Sequence, residues 1–183
     1  MNIQLEEILN RFHTTDNRVA LEAVDELREL GWLTDGSLHG VGLCRANLQG
    51  ANLTNASFCC AGFHQADLVW SDLSGANLQA AKLSLCNLSS SNLKNANLDS
   101  TDFFKANLHG VKNLTDEQLL KASRLCGATM PDGERYDGRF SLFGDLALAE
   151  WNNVDPSDAS AMAEFYGVPL EVYTQGQLIK TPA

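Results

Sequence analysis

The sequence predicts an all-β solenoid with helical flanks, and three observations carry that prediction. From Val41 to Gly110 one residue pattern returns every five positions without a gap. The centre of each unit is a large apolar residue, running from Leu43 and Leu48 through Phe58, Phe63 and Leu78 to Phe103 and Leu108, and two positions earlier stands a short one such as Ala46, Ala51, Ser71, Cys86 or Thr101. Outside this stretch the apolar spacing becomes helical. A period of five fits neither the helical 3.6 nor the strand period of 2, so the chain must turn in every unit. Centre and small residue then point inward, and each unit buries its core against its neighbours in a stack.

Before the rod, Leu5, Ile8, Leu9 and Phe12 recur at helical spacing, as do Val19, Leu21, Val24, Leu27 and Leu30. They predict helices over about 3–12 and about 16–30. Thr14, Thr15 and Asp16 offer N-cap oxygens for the second helix, and Gly31 its C-terminal stop. Trp32, Leu33 and a turn at Asp35-Gly36 lead into the rod, where Gly36–Gly40 is in phase and adds one side. A solenoid end leaves unpaired backbone and an open core section, so residues 1–35 are assigned as its cap.

Within the rod the clearest copies are Ala46-Asn47-Leu48-Gln49-Gly50, Ala51-Asn52-Leu53-Thr54-Asn55, Ala76-Asn77-Leu78 and Ala96-Asn97-Leu98. Small residue, Asn or Asp, Leu and two variable positions is a pattern that resembles the pentapeptide-repeat proteins, over 70 of 183 residues. The resemblance implies a right-handed quadrilateral β-helix with four units to a coil, hence about 3.5–4 coils and a rod roughly 17 Å long. On that register Phe63, Leu83 and Phe103 share one inward column, and Phe58, Leu78 and Leu98 another.

After Gly110 the phase slips, and Thr115-Asp116-Glu117-Gln118 reads as a capping box that opens a helix to about Ser123. Leu125 to Gly133 is a turn-rich closure that resembles the end of many cyanobacterial family members. The tail from Glu134 to Ala183 carries Phe140, Leu142, Phe143, Leu146, Leu148 and Trp151, too apolar a set for disorder. Asp155 as N-cap with Pro156 at the first helical position predicts a helix to Tyr166, stopped by Gly167; Pro169 to Tyr173 adds a short turn or helix. The expected domains are 1–35, a rod over 36–110, and a cap helix with tail over 111–183.

The net charge of −10 divides unevenly. Residues 1–40 and 111–183 carry −5 each, whereas in 41–110 Asp67, Asp72, Asp99 and Asp102 are matched by Arg45, Lys82, Lys94 and Lys105. Some pentapeptide-repeat proteins inhibit or protect DNA gyrase by mimicking duplex DNA with a long acidic rod. The neutral rod departs from that pattern, so a DNA-mimic modulator is the alternative reading, and no nucleic-acid partner is expected. No run of 18 apolar residues is present, which argues against a membrane partner. The acidic start lacks signal-peptide features and the five cysteines lack paired spacing, so a cytoplasmic location with unbridged thiols is expected.

Outward positions in the rod are mostly polar, but Val69, Trp70, Leu85 and Phe104 break the rule. They are the candidates for partner binding, with self-association or cover by a flanking segment as the competing uses. Cys44 and His64 share an outward column near Cys59-Cys60 and could converge, yet the chain has no CxxC or HxxxH spacing, so no metal or other cofactor is expected. Asp67 and Asp72 stand at the repeat's own turn position, which points to backbone bonding and not to an acid–base pair. No catalytic residue and no enzyme is read from the sequence. The expected function is a non-catalytic protein–protein interaction scaffold, in a regulatory or photosynthetic setting that the resemblance implies, with the tail as a second binding element.

Overall fold

Backbone pairing between residues twenty apart organises the rod: Gly42 bridges Gly62, Asn47 bridges Asp67, and the same parallel register runs to Asn92 and Lys112. The computed structural model describes residues 3–14 and 16–178. Twenty residues divided into five-residue units make a coil of four walls. Each wall contributes one bridged residue between turns, and among the described residues no longer strand forms. The reason is local, since turn residues at both corners leave room for only one ladder position per wall.

Hydrogen bonds tie each coil to the next in both directions. The Leu48 amide donates to the Asp67 carbonyl at 2.7 Å and the Asp67 amide to the Ala46 carbonyl at 2.9 Å. The motif's Asn or Asp serves the same ladder twice. Its side-chain oxygen accepts from the amide two residues on, as Asp67 does from Val69 at 3.1 Å, and Asn92, Asn97 and Asn107 donate to Asp72, Asn77 and Asn87 one coil earlier. Asx-type bonding of this kind lets the chain turn without orphaned groups. The apolar centres from Leu33 to Leu108 are essentially buried, including the two columns expected from the register. Each fully buried Leu or Phe contributes about 1.5–3 kcal/mol. Cys86 fills a position otherwise held by Ala, its thiol donating to the Ala66 carbonyl at 3.1 Å.

Two helices precede the rod, α1 (Ile3–Asn10) with a 3-10 turn over Arg11–His13, and α2 (Asn17–Glu29). Asp16 caps α2 by accepting from the Arg18 amide; Thr15 lies outside the described residues. Leu9, Phe12, Val24 and Leu27 pack onto Leu33, Leu38, Leu43, Leu48, Leu53 and Phe58 with no water-sized gap, so the helices cover the first core section. They also satisfy its edge. Asn17 donates to the Asn47 and Gln49 carbonyls and Arg28 to that of Asn52, acceptors for which no earlier coil supplies a donor.

Coil-type pairing continues past Gly110. The capping box of Thr115 and Gln118 forms, but α3 (Asp116–Leu119) ends before the predicted Ser123 because the chain returns to the ladder at Lys121. The detour lengthens the register to 22, with Asp102 bridging Arg124 and Asn107 bridging Thr129. Beneath it Gln118 donates to the Leu93 and Ala96 carbonyls.

The tail is three helices, α4 (Phe143–Trp151), α5 (Ala159–Tyr166) and α6 (Leu170–Leu178). The cap of α5 is Asp158, not Asp155; Asp158 accepts from the Ser160 and Ala161 amides, whereas Asp155 accepts from Ser157 in the preceding turn. Tyr136, Tyr166 and Tyr173 form a small aromatic core, with ring centroids 5.5 and 6.1 Å apart. The tail seats on the last coil through α4. The buried Asp145 carboxylate accepts from the Leu125 amide at 3.2 Å and the Cys126 amide at 2.9 Å, and the Gly144 amide donates to the Ser123 carbonyl.

Candidate interaction surface

The fifth residue of each unit turns the corner with positive φ, and the outward apolar residues take their meaning from that geometry. Glycine occupies some corners, such as Gly50 and Gly110, but Trp70 and Leu85 hold φ of 59° each. A left-handed conformation costs a residue with a Cβ roughly 1–2 kcal/mol. Trp70 recovers little of this by packing, being 69 % exposed, and Leu85 is 42 % exposed. Among the described residues, neither the N-terminal helices nor the tail buries them.

The four candidates fall into two pairs on one wall. The Leu85 amide donates to the Phe104 carbonyl at 2.9 Å, which places these two together at the corner where the wall begins. Val69 and Trp70 lie at its far corner, one coil earlier, where the Trp70 amide donates to the Ser89 carbonyl. Phe104 is half-buried, with the Lys105 ammonium 5.0 Å and the Arg124 guanidinium 5.4 Å from its ring centre. Both cations sit against the ring, and Arg124 is at the same time paired with the Asp102 carboxylate.

The expected convergence of Cys44 and His64 with Cys59-Cys60 is not what the coil delivers. Cys44, Arg45, His64 and His13 line one open hollow of about 410 Å³, and His64 faces Ser84 at 3.4 Å. The residue brought to Cys59 and Cys60 is His39, with all three donor atoms within 4.8 Å of one another. The signal was in the sequence, because adding one coil of twenty residues to His39 lands on Cys59. The hydrogen bond with Cys60, helped by partial desolvation, pushes the Cys59 thiol up. Asp67 and Asp72 are held by their turns; hydrogen bonds led by the one from the Ser74 hydroxyl keep the Asp72 carboxyl below its usual value. An open groove of about 550 Å³ runs between α3 and the rod and is lined by residues including Asn95, Asn113, Glu117 and Lys121.

Among the described residues, no helix is long and apolar enough to cross a membrane. Residues 37–75 and 71–110 match a family model described as pentapeptide repeats, with eight copies. Comparison with curated proteins finds no match. Among solved structures the chain is similar to HetL, a pentapeptide repeat protein involved in heterocyst differentiation regulation from the cyanobacterium Nostoc sp. strain PCC 7120, with 35 % identity over 51 % of this chain and 42 % of that one and a TM-score of 0.46. It is similar to the pentapeptide repeat protein Rfr23 from the cyanobacterium Cyanothece 51142, with 29 % identity over 52 % of this chain and 60 % of that one and a TM-score of 0.41. A pentapeptide repeat protein of the Arabidopsis thaliana thylakoid lumen matches at 23 % identity, 52 % and 65 % coverage and a TM-score of 0.28. The chain spans less than two thirds of the length of each.

Proposed function

We propose that this chain, whose residues 37–110 match the pentapeptide-repeat model, is a non-catalytic scaffold of that family. Its right-handed quadrilateral β-helix of about 3.5–4 coils holds the two apolar corner pairs of one wall in fixed positions for a cytoplasmic protein partner, in regulation or in assembly of a photosynthetic complex. The observation that supports this reading is Trp70, a large ring kept in solvent at a strained corner where the fold accepts glycine. Aromatic anchors of this kind dominate the energetics of protein interfaces. The DNA-mimic alternative has no observation behind it, since the acids of residues 41–110 are matched one for one by Lys and Arg.

The test is capture of partners on the wild-type chain and on a Trp70→Ala, Phe104→Ser double variant of verified fold, followed by affinity measurement with the purified partner. We expect the variant to bind at least about tenfold more weakly, the effect of losing one hot-spot side chain. Equal affinity would remove the wall from consideration and move attention to residues 134–178.

A further inference from the structure

We propose that His39, Cys59 and Cys60 form a surface site for a zinc-class divalent cation. The coil builds the site by register. His39 and Cys59 follow the centres Leu38 and Phe58 on the same wall, one coil apart, and the Gly40 amide locks them together by donating to the Cys59 carbonyl at 2.9 Å. Cys60 stands at the adjoining corner with φ of 61°. The two sulfurs are 3.6 Å apart. Two thiolates on a tetrahedral zinc with bonds of about 2.3 Å lie about 3.8 Å apart, so the pair is close to ligand spacing. The imidazole within 4.8 Å completes a His-Cys-Cys set and leaves a fourth position for water.

The rival use of two adjacent thiols, a disulfide between them, meets a backbone obstacle. Sequential Cα atoms are about 3.8 Å apart, below the roughly 4.4–6.8 Å that a disulfide spans. Closing the ring would also twist a peptide that is fixed at both ends, since the Cys59 carbonyl accepts from Gly40 and the Cys60 amide donates to the Gln79 carbonyl at 2.8 Å. A cation asks only for side-chain adjustment. The site lies on the wall opposite Val69, so it is independent of the proposed partner surface.

The probe is Co²⁺ titrated into the reduced, metal-free full chain, read by thiolate-to-cobalt charge transfer and then displaced by Zn²⁺. We expect one equivalent to saturate the signal. Cys59→Ser, Cys60→Ser and His39→Asn should each weaken binding about tenfold or more, while Cys44→Ser changes nothing. All four positions face outward, so melting curves without metal should coincide with the wild type. Absence of a thiolate signal, its survival in Cys59→Ser, indifference to His39→Asn, or dependence on Cys44 would each overturn the site. Saturation at half an equivalent with dimer formation would replace it with a cation shared between two copies.

Discussion

At the scale of single residues, the corner is where the fold and a use for the surface pull apart. Arg45, Asn55, Gln65, Trp70, Leu85 and Lys105 all take φ between 54° and 61°, and a polar or charged side chain there at least meets water on favourable terms. Trp70 does not. Replacing it with glycine relieves roughly 1–2 kcal/mol of left-handed strain, and the flexible unfolded chain takes back about 0.5–1 kcal/mol. Trp70→Gly should therefore leave stability unchanged or raise it by up to about 1.5 kcal/mol, read from denaturant midpoints, while partner affinity drops. A clear loss of stability would show that the ring packs on the rod, and would weaken the argument that it is kept for a partner.

At the scale of elements, the two ends of the coil close by opposite chemistry. The first coil presents unmatched carbonyls and α2 supplies donors from Asn17 and Arg28; the last coil presents unmatched amides and α4 supplies the Asp145 carboxylate. Arg124 occupies the motif's Asn/Asp position in that last coil, so the unit cannot serve its own Cys126 amide and takes the acceptor from α4 instead. Burial outweighs those amide bonds and raises the Asp145 carboxyl to about 6, with Arg124 lowering it and Asp102 raising it in lesser degree. A raised acid holds its proton more tightly folded than unfolded. Its contribution is thus fullest below about 3.9, the ordinary value, and is lost as the pH rises through about 6. Across pH 4 to 7 the wild type should lose on the order of 3 kcal/mol relative to Asp145→Asn at most; parallel pH profiles for the two would refute the assignment. Asp35, Asp72 and Asp155, lowered by hydrogen bonds from serines, act below that window. This closure was hard to read from sequence. The first two helices and the capping box announce themselves within a few residues, whereas α4 follows Leu142, which supplies no side-chain cap, and Asp145 finds its partners twenty residues back. The outward residues of the rod were legible one by one, but which of them meet, as His39 and Cys59 do, required the coil register as well as the repeat.

At the scale of the whole molecule, the rod is a stack in which every wall supports the next, so its tolerance of change depends on direction more than on position along the chain. Leu78 and Gln79 are neighbours in sequence; Leu78 is fully buried between Phe58 and Leu98 in its column, and Gln79 is exposed on the same wall. An unpaired carboxylate in that column has no partner and no water, and costs several kcal/mol even after relaxation. Total stability for a domain is only about 5–15 kcal/mol, and a break in the middle of a stack uncouples the coils on both sides of it. Leu78→Asp should therefore fail to fold, while Gln79→Asp, one residue further along the chain, should melt within about 0.5 kcal/mol of the wild type. Circular dichroism melts of the pair decide the matter. A soluble, cooperatively melting Leu78→Asp chain would mean that the column is open to solvent, which the packed stack does not allow.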